Sequence, residues 1–105
     1  MTAFASAVSA IFRDPNISVA AIYKQGGAGE GISVRVIKRA PDAESQFNGG
    51  RFVSAAAYVD VRMSEVPALA SGDTFTIGSE ILEVLGEPRR DGERLVWMAE
   101  ARYAV

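Results

Sequence analysis

Three groups of residues have types and spacings that could do chemistry. Gly27, Gly29 and Gly31 alternate along a glycine-rich run, Gln25 to Gly31, a pattern that invites comparison with a phosphate cradle. Such a cradle requires the loop to open a helix whose first N–H groups point at the anion. Here the run leads into Ile32 to Arg39, which alternates like a strand, and no Gly-Lys-Ser/Thr is present, so it reads as a hairpin loop. Asp60, Glu65, Glu80, Glu83 and Glu87 could supply paired carboxylates for general acid–base work, but no spacing forces two of them together. Arg89 and Arg90 stand beside Asp91 and Glu93 in what reads as a turn. That turn is either a solvated mixed-charge surface or an anchor for an acidic partner, since arginine is favoured where an interface desolvates it.

The 105 residues contain no histidine and no cysteine. A disulfide framework, a thiolate nucleophile, a thiolate- or imidazole-bound metal and a histidine-based triad are therefore excluded. General acid–base chemistry would need a strongly shifted carboxylate, lysine or tyrosine. We expect no enzyme, and assign no catalytic, cofactor-binding or metal residue. Eleven basic against 13 acidic side chains give a formal charge of −2, and the basic residues are scattered. Duplex binding draws its non-specific affinity from neutralised phosphates, so this balance argues against a dedicated nucleic-acid module. The longest apolar runs are five residues, such as Leu95 to Ala99, against about 20 needed to span a bilayer. Ala5 to Ala10 has the small residues of a signal-peptidase site but neither a basic lead nor an apolar centre, so the expected location is the cytoplasm, with no membrane.

Of 51 apolar residues, 17 are alanine, 18 are valine or isoleucine and only four are leucine, which favours strands over helices. Residues 2 to 12 have helical spacing, with Phe4, Val8, Ile11 and Phe12 on one side, Thr2 as N-cap and Asp14-Pro15-Asn16 as stop. Strands are then expected at about 17–24, with Ile17, Val19, Ala21 and Tyr23 in phase, and at 32–39, with Ile32, Val34 and Val36 inward. The longest, about 51–63, carries Val53, Ala55, Ala57, Val59, Val61 and Met63 on one side. Ser64 to Asp73 is a connector. A hairpin about Gly78-Ser79 joins 74–77 to 80–86, Glu87 to Gly92 closes it, and the last strand, about 94–103, turns Leu95, Trp97 and Tyr103 inward. The sum is a single domain over residues 1–105. It is mainly β, a small antiparallel β-barrel or sandwich of about six strands, with one short N-terminal α-helix packed over an open end or face.

Two features stand apart from this frame. The strand 80–86 is apolar on both sides, Leu82 and Val84 facing one way and Ile81 and Leu85 the other, so both faces need cover, from the helix or from a neighbouring subunit. The segment Pro41 to Gly50 is long for a hairpin connection and polar, with Phe47 its only large apolar residue.

Asp14-Pro15-Asn16 after the helix, Val34 to Ile37, Val59 to Pro67, Gly72 to Ile77, Gly86 to Asp91 and Glu93 to Trp97 form a set of runs. Together they resemble the head–tail joining proteins of tailed phages, prophages and phage-like gene transfer particles, also called tail-attachment or stopper proteins. The resemblance implies a small β-barrel or sandwich subunit, monomeric when free, that assembles as a ring, usually of six, beneath the portal. The ring closes the DNA-filled head and docks the tail. Implied partners are the portal or adaptor proteins of the head, the tail-tube or tail-terminator proteins, further copies of the chain, and DNA that passes without sequence-specific binding. The implied location is the host cytoplasm during assembly, then the virion or phage-like particle. In related stoppers a long loop between early strands enters the channel; here Pro41, Asp42, Glu44, Gln46, Phe47 and Asn48 occupy that position. The expected subunit or partner surfaces are Gln25 and Glu30 in the glycine-rich loop, Ile81 and Leu85 on the two-sided strand, and Arg89 and Arg90. A tail-terminator of the same particle is the neighbouring alternative. A nucleic-acid-binding barrel is a more distant one, which would show a steep salt dependence on DNA.

Overall fold

The computed structural model describes residues 3–39 and 57–104, and the strand alternation closes into a six-stranded barrel. Its elements are α1 (Ala3–Arg13), β1 (Val19–Lys24), β2 (Ile32–Arg39), β3 (Ala57–Arg62), β4 (Thr74–Ile77), β5 (Glu80–Arg90) and β6 (Val96–Ala104). Around the barrel the order is β1-β2-β3-β6-β5-β4, with β4 returning to β1 and every pair antiparallel.

A barrel of six strands has a narrow interior, and the distribution of side-chain sizes answers to it. One wall brings Tyr23, Phe75, Leu82 and Val84 inward from β1, β4 and β5. The wall across from it is built of Ala57, Val59 and Val61 from β3 and Ala99 and Ala101 from β6, all buried. Ala57 lies directly opposite Ala101, and Val59 opposite Ala99. The alanine excess is thus partly a packing device: larger residues on both walls would not fit between them. Tyr23 and Phe75 meet as tilted rings 5.4 Å apart.

Parity along the strands predicts the inward side but not the depth. Ile17, Val19, Ile32 and Tyr103, expected inside, are exposed. Ile17 precedes β1 altogether, and the other three sit near strand ends, where no opposite wall remains to cover them. Met63 and Leu95 are half-buried and fall outside β3 and β6. Thr2 and residues 51–56, with Val53 and Ala55, lie outside the described residues.

The fifth strand is longer than its sequence suggests. The residues expected to close it as a turn, Glu87 to Arg90, stay in β5, with Arg89 opposite Met98 and Arg90 opposite Trp97. A register shift between Leu85 and Arg89 absorbs Gly86 and Pro88, as bulges commonly do. The turn proper falls at Asp91 to Leu95. The Asp91 carboxylate accepts the N–H groups of Leu95 (2.7 Å) and Val96 (3.0 Å) there, while Arg94 takes a positive φ of 57°.

The helix packs on the outside of β2 and β3. It buries Phe12 and half-buries Ala5, Val8 and Ser9, leaving Phe4 and Ile11 exposed, so its docked side is turned relative to the expected one. Its C-terminal end decides this. The buried Ser18 hydroxyl donates to Phe12 O (2.6 Å), and the Arg35 guanidinium of β2 donates to Ser18 Oγ (3.0 Å) and Ser18 O (2.8 Å). The Arg62 guanidinium of β3 lies 5.6 Å from the centre of the Phe12 ring and pairs with Glu65 (3.1 Å). Phe12 is thereby fixed as the anchor.

Candidate functional site

The surface carries the features that could engage partners. On β5, Leu82 and Val84 go into the core, and Ile81, 40% exposed, goes outward with the half-buried Leu85. The helix, on β2 and β3, does not cover them. Register extends the outward row beyond β5: Ile81 lies opposite Thr76 of β4, Thr76 opposite Ile22 of β1, and Ile81 on its other side opposite Ala104 of β6. Ile22 and Ile81 are both exposed and flank the half-buried Thr76, so two isoleucines about a threonine make a row across adjacent strands. Of the charges near it, Arg102 pairs with Glu83 at 2.9 Å and Lys38 with Glu80 at 3.0 Å, while Lys24, two residues along β1 from Ile22, makes no ion pair among the described residues. Hydrogen bonding to Tyr103 and to Glu80 raises the Lys38 pKa above its ordinary value, so the ammonium is held charged.

A second surface lies where β5 shifts register against β6. A groove of about 280 Å³ opens there, lined by Arg39, Tyr58, Arg89, Met98, Ala99 and Glu100. Arg39 grips Asp60 with two hydrogen bonds (2.9 and 3.1 Å) and lies 5.4 Å from the centre of the Tyr58 ring. The hydrogen bond to Asp60 pushes its pKa further up.

The glycine-rich loop between β1 and β2 is held by an aspartate that the sequence does not single out. Asp73, almost fully buried, accepts hydrogen bonds from Tyr23 Oη (2.6 Å), Gly26 N (2.8 Å) and Ala70 N (2.9 Å). Burial, then this hydrogen bond and the Asp73 charge, push the Tyr23 phenol well above its ordinary range. The loop is therefore structurally committed at Gly26; it holds a single 3-10 turn, Gln25–Gly27, and leads into strand β2, as the sequence predicts, not into an α-helix that could receive a phosphate. Among the described residues Asp73 is the one buried carboxylate, and there it is an acceptor for the fold.

The expected interface residues that are described fall in four separate places. Gln25 and Glu30 are exposed on the β1–β2 loop, Ile81 and Leu85 lie on the outer side of β5, and Arg89 edges the groove. Arg90 parts company with Arg89, because neighbouring strand positions face opposite sides; its guanidinium lies 5.8 Å from the centre of the Trp97 ring. Trp97 is half-buried against the core and donates from Nε1 to Val66 O (2.8 Å). Pro41, Asp42, Glu44, Gln46, Phe47 and Asn48 lie outside the described residues. The residues missed by sequence reasoning are Ile22 and Thr76, which join Ile81 only through pairing between distant strands.

Among the described residues no group of three or more acidic side chains is placed to hold a metal ion, and no helix is long and apolar enough to cross a membrane. Residues 1–101 match the model of a family described as Phage Head-Tail Attachment protein. No curated protein matches the chain.

Proposed function

Since the chain belongs to the phage head–tail attachment family and is thus a phage structural protein of the head–tail junction, we propose that it acts by assembling into a ring there. The ring closes the DNA-filled head and presents the docking surface for the tail. The observation that carries this reading is the outward row of Ile22, Thr76 and Ile81 on β1, β4 and β5, with Leu85 further along β5, which the chain's own helix leaves uncovered. Isolated surface apolar residues need no explanation, but a contiguous row on a barrel whose core is already filled asks for a partner.

The partners of this reading are the portal or adaptor proteins on the head side, the tail-tube or tail-terminator proteins on the tail side, and further copies of the chain, six in the usual ring of the family. Residues 41–50 line or plug the channel. Their sequence supports this: a polar stretch with one large apolar residue, Phe47, to anchor it against a neighbour. The mild negative charge of the chain suits a passage through which DNA slides without sticking. Assembly takes place in the host cytoplasm, and the protein then stays with the virion or phage-like particle. Chemistry is not required of it.

Affinity capture with the full chain tests the reading. Retention of portal or adaptor protein together with tail protein is the expected result; retention of tail-tube protein alone would make the chain a tail-terminator. Deleting residues 43–48 is expected to leave particles that lose DNA, and undiminished DNA retention would remove the channel role from this segment.

A further inference from the structure

We infer that Arg94 and the cleft beside it form a site for a glutamate side chain of a partner protein. The site belongs to the single chain and does not depend on the ring; the family's place at the head–tail junction says only where the partner is met.

The backbone singles out Arg94 first. It is the one non-glycine residue with a positive φ among the described residues, 57°, while Gly92 of the same turn lies outside the left-handed region. An L side chain is disfavoured in that region and glycine is not. Such a residue points to function when its side chain gives nothing back to the fold. The Arg94 N–H closes the turn on Asp91 O (3.0 Å), as any residue's would, but its guanidinium makes no ion pair and no hydrogen bond among the described residues. The Asp91 carboxylate, which could have matched it, is taken by the N–H groups of Leu95 and Val96. Those bonds also fix the turn that presents the arginine.

Arg94 lines a cleft of about 170 Å³ between α1, the end of β3 and the β5–β6 turn, whose apolar walls are Ala5, Val8, Met63 and Leu95. A second arginine on the wall, Arg62, is already committed: it pairs with Glu65 (3.1 Å), lies against the Phe12 ring and keeps its Nε buried. Arg94 is therefore the charge that the cleft leaves unmatched. Its complement is a carboxylate, and the walls call for an aliphatic stem behind it. Glutamate has both, two methylenes to lie between the walls and two oxygens for the guanidinium fork. The cleft is small beside the about 300 Å³ and more of small-molecule pockets and suits one side chain. A nucleic acid would find one free cation and, among the lining residues, no aromatic ring to stack on. Arginine set in a partly apolar cleft is instead the type of residue on which protein interfaces concentrate their binding energy.

Titration of the isotope-labelled full chain, followed through its amide NMR signals, tests the site with four probes. They are glutamate blocked as N-acetyl and amide, glutamine blocked in the same way, N-acetylglutamine, which carries its carboxylate at the chain end, and inorganic phosphate. Blocked glutamate is expected to move the signals of Val8, Met63, Arg94 and Leu95 saturably and to bind more tightly than the other three. Arg94→Gln should weaken it about fivefold, the most that an exposed pair supplies. No saturable shift, or an equal response to blocked glutamine, would overturn the site; tighter binding of N-acetylglutamine or of phosphate would overturn glutamate as its occupant.

Arg94→Gly separates binding from folding. It relieves the left-handed backbone, so the thermal midpoint should hold or rise while the glutamate response is lost. A lower midpoint would mean that Arg94 serves the fold, and overturns the assignment. In particles, Arg94→Gln should lower the yield of joined heads and tails, with partial rescue by Arg94→Lys, and a normal yield would remove the partner role. Electron microscopy of the same particles keeps the two readings apart: a missing ring beside an intact titration counts against the ring alone.

Discussion

At the barrel end where β1 runs out and β2 begins, the connector between β3 and β4 folds back over the opening: Val66 and Leu69 enter the core and Asp73 gathers three donors. At the other end, where Arg39 and Ala57 flank the segment 40–56, the described rim is made of exposed Val19 and Tyr103 and of surface ion pairs, Lys38 with Glu80 and Arg39 with Asp60. The first end is finished as an interior: the buried Asp73 carboxylate has its donors within the chain, and Arg62 Nε, where the connector leaves β3, is the one buried side-chain nitrogen or oxygen among the described residues without a partner. The second has fewer internal commitments. Fold stability should therefore depend on the closed end, and the open rim should tolerate change until assembly is measured.

The comparison can be broken most severely at Asp73. Asp73→Ala leaves the Tyr23 hydroxyl and two N–H groups without their acceptor, and a loss of about 3 kcal/mol or more in chemical unfolding is expected. Next comes Gly31, with φ at +81°, where an added Cβ would lie 2.6 Å from Ile22 Cγ2 and 2.8 Å from Tyr23 O. Gly31→Ala should cost about 2 kcal/mol from left-handed backbone and overpacking together.

A smaller effect is expected at Asp91, in the β5–β6 turn. Burial opposes its ionisation, but the backbone N–H groups of Val96, Leu95 and Glu93 outweigh that and lower its pKa. A depressed folded pKa means stability that is present above the ordinary aspartate range and lost as pH falls through the folded value. Asp91→Asn should flatten the acid side of a stability–pH curve measured by thermal unfolding; an unchanged slope would remove Asp91 from the account. At the open rim the effect is smallest. A double-mutant cycle on Lys38→Met and Glu80→Gln should give a coupling below about 1 kcal/mol, as exposed pairs do. A coupling as large as the loss at Asp73 would erase the distinction between the ends.

Much of the barrel is legible in the sequence because strand period and core side coincide. Ala57, Val59 and Val61, and Leu82 and Val84, alternate with outward residues and are buried as expected, and the Gly78-Ser79 hairpin falls in register, Ile77 opposite Glu80. Three things are not legible, each for a physical reason. Alternation gives a side but not a depth, so rim residues such as Val19 and Tyr103 pass for core. Val66 and Leu69 lie in an aperiodic connector beside Pro67, so nothing local marks them as core. Gly86 and Pro88 punctuate like a turn, yet a bulge lets β5 continue past them.

The candidate surface was half visible. Ile81 and Leu85 stand out because their strand is apolar on both sides, while Ile22 and Thr76 join that surface only through the β1–β4 and β4–β5 registers. Gln25 and Glu30 are exposed as expected, on a loop whose Gly26 N–H is engaged by Asp73. Arg89 and Arg90 divide between groove and Trp97, because a strand, not a turn, carries them.

The central claim, that this chain joins filled heads to tails as a ring, is tested most directly by assembling particles without it and adding the purified protein back. The expected result is separate heads and tails with DNA escaping from the heads, and tailed, DNA-retaining particles once the full chain is supplied. Tailed particles of normal DNA content formed in its absence would contradict the account.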